Sequence, residues 1–158
     1  IFFNSCSSQP VILNFFVQLC YATKHNKMQT LTETINKVKE FHATFGLQYF
    51  ENPQAVIDKN IIELRHKLMQ EENDEYLEAA LENNLVQIAD ALGDKLYILC
   101  GTIIAHGLQH KIIEVFNEIH RSNMSKLDSN GKPIYREDGK ILKGENYFLP
   151  DIKSVLAK

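Results

Sequence analysis

Between Thr30 and Phe45 the apolar side chains Leu31, Ile35, Val38, Phe41 and Phe45 recur at intervals of three and four, the spacing of one helix face. Gly46 follows as a stop signal. The same periodicity predicts a second helix from about Lys59 to Glu82, carried by Ile61, Ile62, Leu64, Leu68, Tyr76, Leu77 and Leu81 and broken by Asn83-Asn84. Residues 47–58, with Asn52-Pro53, connect the two. Leu85 to Ala105 is the most apolar stretch of this part of the chain, and Gly107 is placed to end it. A helix that is apolar on nearly every side belongs at the centre of a bundle. Ile112, Ile113, Val115, Phe116 and Ile119 predict a fourth helix over Gln109 to Asn123. Asp128 to Gly144 is charged, glycine-rich and turn-prone, the composition of a short hairpin arm, and Pro150 to Leu156 reads as a last short helix. The expected fold is an all-α bundle of four main helices with a short C-terminal arm. One short four-helix unit leaves the third helix incompletely covered, so a homodimer is expected as well.

With 158 residues, 44% hydrophobic and 23% charged, the chain has the length and composition of one globular domain rather than of a disordered or collagen-like sequence. A formal charge of −3 offers no basic face for long nucleic acid. A free nucleotide stays within reach, because a divalent cation can bring the missing positive charge. Cys6, Cys20 and Cys100 form no CxxC pair and have no histidine at zinc-finger distance, so neither a disulfide framework nor structural zinc is indicated, and a reducing cytoplasm fits. Cys100, within an apolar run, reads as a small buried hydrophobe.

Residues 1–27 read unlike the remainder. Pro10 to Ala22 imitates a signal-peptide core, yet it follows no basic segment, precedes no small-residue cleavage site and is too short to span a bilayer. The domain is expected over residues 28–158 with Met28 as its natural start, and residues 1–27 as an upstream or appended segment outside the core. A secretory or lipoprotein leader ending near Cys20 is the competing reading. No membrane partner is expected.

The candidate chemistry lies on the second and third helices. Glu71, Glu72 and Glu75 form an EExxE cluster in which 72 and 75, and 71 and 75, share a face, a spacing at which like charges repel. Such a cluster alone is ordinarily a solvated acidic face. The third helix changes this, because Gln87, Asp90 and Asp94 project from one side of an otherwise apolar helix, where an unpaired carboxylate costs several kcal/mol if buried. Pairing with Lys or Arg, or a wet face, would satisfy them. So would two acidic faces packed against each other around divalent cations, in the way that helical bundles build carboxylate metal sites.

These residues resemble the all-α NTP pyrophosphatases, a superfamily that includes MazG-like enzymes, dimeric dUTPases and phosphoribosyl-ATP pyrophosphohydrolase. The family pattern is EExxE on one helix and ExxD on the next. It reads here as Glu71-Glu72-Asn73-Asp74-Glu75, then Gln87-Ile88-Ala89-Asp90, with Gln87 standing where the family has glutamate. ADALGDKLYILCGTIIAHGL, VKEFHATFG, VFNEIHRSNMSK and DGKILKGENYFLPDI are similar to one branch of the superfamily, so the resemblance covers about residues 30–156. A rival register would use Asp90 and Asp94 as the pair.

The resemblance implies hydrolysis of a nucleoside triphosphate to the monophosphate and pyrophosphate by a helical homodimer that requires magnesium, with manganese as a substitute. Glu72, Glu75 and Asp90, with Gln87 and Asp94, would hold the metal, and Glu71 or a neighbouring carboxylate of the cluster would position or deprotonate the attacking water. Arg121, Asn123 and Lys126 at the end of the fourth helix, with Lys140 and Lys143 beyond it, are candidate donors to phosphate or base. His106 and His110 have i, i+4 spacing, but Gly107 interrupts the helix between them, which weakens a histidine metal site. The rival function is a non-catalytic helical dimer that kept the scaffold and serves binding or regulation.

Overall fold

The structure, a computed structural model, describes residues 29–158, and the expectations for residues 1–27, Cys6 and Cys20 lie outside that range. Among the described residues the chain forms five helices: α1 (Leu31–Thr44), α2 (Lys59–Leu81), α3 (Leu85–Ala105), α4 (Ile112–Met124) and α5 (Ile152–Leu156). The arm between α4 and α5 closes on a single antiparallel bridge, Tyr135 to Ile141. The all-α class and four main helices agree with the sequence reading.

Helix ends follow their local chemistry. Gly46 and Gly107 take positive φ, +67° and +66°, one position beyond the caps of α1 and α3. The paired bonds Leu108 N to Ile103 O (2.9 Å) and Gly107 N to Ile104 O (3.0 Å) then satisfy carbonyls that the end of α3 would leave orphaned. Asn83 takes the same role after α2 with φ 57°. Asn84 immediately begins α3, accepting from the backbone N–H of Gln87. Two adjacent asparagines thus end one long helix and start the next.

The neighbours of α3 are α2, its most extensive partner, and α1. The core lies at one end, where Ile35 and Val38 of α1 meet Cys100, Ile103 and Ile104 of α3, with Tyr49, Leu108 and Ile112 against them. The connection between α1 and α2 is strapped over the C-terminus of α3 by Phe50 N to Ile104 O (3.0 Å) and Gln54 N to His106 O (2.8 Å). Gln109 adds a bond from Nε2 to Phe50 O at 2.9 Å.

Two expectations change here. Only the C-terminal half of α3 is central, since Leu85 and Val86 are exposed in the protomer at 77% and 79%. On α2, the apolar Ile62, Leu64, Leu77 and Leu81 face outward in the protomer. The inward stripe runs instead through Ile61, Arg65, Leu68, Glu72 and Ala79. Two charged residues therefore occupy the face that packs on α3.

Candidate functional site

The far half of the α2–α3 pair, away from the core, carries the acidic groups. Ala79 and Ala91 are buried there, and their small side chains let the two helices approach closely. Glu72 is half-buried on the inward stripe, its Oε2 enclosed and without a hydrogen-bond partner. Its carboxyl is held above the usual range, first by burial and then by the charges of Glu75, Asp94, Asp90 and Glu71. The two predicted clusters therefore face one another across the seam, and Asp90 and Asp94 both reach the same group.

Next to this cluster is a polar cleft of about 250 Å³ lined by Glu75, Glu78, Ala79, Glu82, Gln87 and Asp90. Glu78 and Glu82 were not singled out from the sequence. Their signal was the i+3 and i+4 spacing that carries the acidic run of Glu75 through the last turns of α2.

Gln87 lines the cleft, but its Oε1 accepts from Asn84 Nδ2 at 2.8 Å. Together with the bond from Gln87 N to Asn84 Oδ1 (3.3 Å), this makes a reciprocal cap on the first turn of α3. Glutamine at this position thus has a structural partner as well as a place in the cleft. Glu71 sits at the solvent edge beside Lys67 at 3.6 Å.

The donor set consists of oxygens alone, which suits a hard cation such as magnesium that keeps several waters and takes a few carboxylates together with phosphate. Among the described residues, no three carboxylate, imidazole or thiolate groups converge closely enough to hold a metal ion by themselves. That is compatible with magnesium and unlike a structural zinc centre. The orphaned Glu72 Oε2 and the carboxylates around it are the features that a cation would satisfy.

The candidate phosphate donors stand elsewhere, on α4 and the arm. Arg121 makes a two-pronged contact with Glu118, Nε to Oε2 at 2.9 Å and Nη2 to Oε1 at 2.8 Å, and stacks 4.3 Å from the centre of the Phe148 ring. Glu118 also accepts from Asp151 N at 2.7 Å, so the group fastens the segment before α5 onto α4. Arg121 and the Asp151 N–H together hold the Glu118 carboxyl down at about 2. Asn123 O accepts from Lys126 N at 3.2 Å, and Lys126 O from Gly144 N at 3.0 Å. Lys140 N donates to Asp138 at 3.1 Å, and Lys143 Nζ lies 4.3 Å from the centre of the Tyr147 ring. None of these contacts reaches the acidic seam.

His106 Nδ1 lies 2.9 Å from Gln54 O within the strap, whereas His110 faces Glu51 at 4.0 Å. The two imidazoles thus turn to different partners. Sequence reading also missed His42 and Arg65, a part-buried pair joined at 3.1 Å between Nε2 and Nη2. An arginine amid the apolar positions of α2 was the available signal. Among the described residues no helix is long and apolar enough to cross a membrane.

Comparison with known proteins gives this geometry a context. An uncharacterized protein of Acanthamoeba polyphaga mimivirus is 31% identical over 133 residues, covering 77% of this chain and 47% of the relative. The chain therefore spans about half the length of that relative. A family model described as phosphoribosyl-ATP pyrophosphohydrolase matches residues 38–123, a segment that holds every carboxylate of the seam from Glu71 to Asp94. With more than half of its length inside that model, the chain belongs to the phosphoribosyl-ATP pyrophosphohydrolase family, within the MazG-like NTP pyrophosphatase superfamily.

Proposed function

We propose that the protein is a magnesium-dependent nucleoside triphosphate pyrophosphohydrolase, releasing pyrophosphate and a nucleoside monophosphate and serving in nucleotide-pool housekeeping in the cytoplasm. The observation that carries this is Glu72, whose Oε2 is enclosed and unpartnered and whose carboxyl lies in the field of four further carboxylates at the α2–α3 seam. Family membership supports the class of reaction, and the choice of triphosphate substrate goes beyond it.

Glu72, Glu75 and Asp90 would hold the metal, with Asp94 reaching the same group from α3 and Gln87 at the edge of the cleft. Bound there, magnesium would neutralise phosphate charge and help to orient the reacting group. Glu71, at the solvent edge, is placed to accept the proton of a water that attacks the α-phosphorus as the bond to the bridging oxygen breaks. Arg121 holds Glu118, so among the candidate donors Lys126, Lys140, Lys143 and Asn123 are the freer ones toward base or phosphate.

A second copy of the chain is part of this reading. Leu81, Leu85 and Val86 at the tip of the α2–α3 pair, and Phe116 on α4, are each more than 60% exposed in the protomer, the pattern of a covered face. A homodimer would bury them, and sedimentation measures it directly.

Pyrophosphate release with magnesium over a panel of nucleoside triphosphates and phosphoribosyl-ATP tests the activity. Release from at least one triphosphate is expected. Binding of metal without release from any of them would favour the rival, a non-catalytic dimer on the same scaffold, which the engagement of Gln87 in a helix cap makes worth separating.

A further inference from the structure

Arg65 is the counterpart of Glu72 on the inward stripe of α2, seven positions earlier and about 10 Å along the helix. Its guanidinium rests on the backbone of α3 at Gly101, where a Cβ would come within 2.7 Å of Nη1. Nη2 shares its 3.1 Å hydrogen bond with Nε2 of His42, a side chain only 1% exposed. Burial and the charge of Arg65 keep that imidazole neutral, so the ring nitrogen accepts and the guanidinium donates.

What Arg65 lacks is an anion. Its Nε is enclosed without a partner, and the ion pairs among the described residues all lie elsewhere. Arginine cannot shed its proton, and a charge this far out of water is ordinarily paired. On α3, Gly101 and Asp94 are likewise seven positions apart. The layer of Arg65 and Gly101 therefore lies two turns from the layer of Glu72 and Asp94 on one seam. The fold keeps an unpaired cation and an unpaired set of anions apart, each short of a counter-charge. A ligand that satisfies both is anionic toward Arg65 and brings a cation to Glu72, which describes a metal-bound polyphosphate.

We propose that Arg65, seated on Gly101 and oriented by His42, is an anion site for the phosphoryl oxygens of a polyphosphate chain whose metal-bound part lies at the acidic end of the same seam. Arg65 is part-exposed, and its hydrogen bond to His42 fixes the guanidinium while leaving donors over for an incoming oxygen. The guanidinium fork suits phosphoryl oxygens, which it can bind through two donors at once. This inference rests on the reading of the acidic seam as the nucleotide site, but its test requires no turnover.

Tripolyphosphate binding is measured calorimetrically with magnesium present, on the full chain and on Arg65→Gln, Arg65→Lys and Gly101→Ala. Gly101→Ala is the sharper variant, because it pushes the guanidinium off its seat without removing the charge. The nearest atoms are the far end of the flexible Arg65 side chain, with His42 Nε2 at 3.2 Å needing to give by a few tenths of an ångström, and alanine favours the helix, so the fold should be retained. Arg65→Gln and Gly101→Ala are expected to weaken tripolyphosphate binding by roughly ten- to hundredfold, with partial recovery in Arg65→Lys. For a nucleoside triphosphate substrate the loss should fall on KM more than on kcat. Unchanged affinity in folded Gly101→Ala overturns the inference even if Arg65→Gln does not fold, and so does a wild-type protein that fails to bind tripolyphosphate. Arg65-dependent binding without hydrolysis of any nucleotide would refute the enzymatic reading and leave the anion site standing. Hydrolysis and binding indifferent to all three substitutions would do the reverse.

Discussion

Replacing Glu72 with glutamine removes one negative charge from the seam while keeping the shape of the side chain. In the metal-free protein that charge is a burden, since one carboxylate oxygen is enclosed without a partner and Glu75, Asp94, Asp90 and Glu71 all repel it. Like-charge contacts near a protein surface each cost about 0.2–0.5 kcal/mol, and glutamine relieves those of Glu72, so the variant should gain about 0.5–1.5 kcal/mol at neutral pH. For a domain of this size that is a rise of roughly 2–7 °C in melting temperature. The gain must depend on pH with a fixed sign. The Glu72 carboxyl titrates above its ordinary 4.5 in the folded state, so the penalty for ionising it sets in as pH rises from 4.5 through the folded value. Below pH 4.5 the two proteins should match. Magnesium should invert the order: a hundredfold excess over the dissociation constant stabilises the wild type by about 2.7 kcal/mol, and the variant by less. Thermal melts at pH 4 and pH 7, with and without magnesium, read all of this. A variant less stable than wild type in metal-free buffer at pH 7, or one that gains as much from magnesium, would refute the reasoning.

Glu75→Gln and Asp90→Asn should each remove most pyrophosphate release while circular dichroism stays unchanged, and near-normal turnover in both would move the metal elsewhere. Gln87→Glu retains an acceptor for Asn84 and places a charge at a favourable helix N-terminus, so stability should change little while magnesium binding tightens in calorimetric titration. Equal magnesium affinity would show that residue 87 serves the cap alone. Arg121→Gln should move the Glu118 titration up from about 2 toward the ordinary 4.5, measured by NMR. In the wild type the stability from this depressed carboxyl is present above 4.5 and fades as pH falls toward 2, so the segment before α5 should loosen there. Gly107→Ala should destabilise the fold by about 1–3 kcal/mol in chemical denaturation, because a Cβ would sit 1.9 Å from Asn52 O at a positive φ, and a wild-type midpoint would contradict the strap over α3.

Legibility in the sequence followed how local the signal was. α3 was expected over the residues that it occupies, because Asn83-Asn84 and Gly107 mark its ends and the apolar run between them is unbroken. The fourth helix begins at Ile112 rather than Gln109, because Leu108 to Lys111 form a turn and Gln109 is drawn to the carbonyls of Phe50 and Glu51. The carboxylate clusters could be read because EExxE and the 90/94 pair are short-range spacings on single helices. The inward stripe of α2 could not, since Arg65 and Glu72 occupy it and counting apolar side chains favoured the outward Leu64, Leu77 and Leu81. The meeting of His42 with Arg65 joins residues 23 positions apart and leaves no periodic trace.

The placement of the core at one end of α3 divides the chain by mutational tolerance. Changes at Ile35, Val38, Cys100 or Ile104 disturb packed neighbours and draw on a small reserve of stability. Changes at Glu78 or Glu82 meet solvent and one another, so at the proposed nucleotide site they can alter which ligand is held while leaving the fold nearly untouched. Ala79 and Ala91 are the exceptions in that half, because any larger side chain would part the helices. A lineage carrying this fold can therefore shift its ligand preference by single substitutions near the cleft without crossing the threshold at which the protein unfolds.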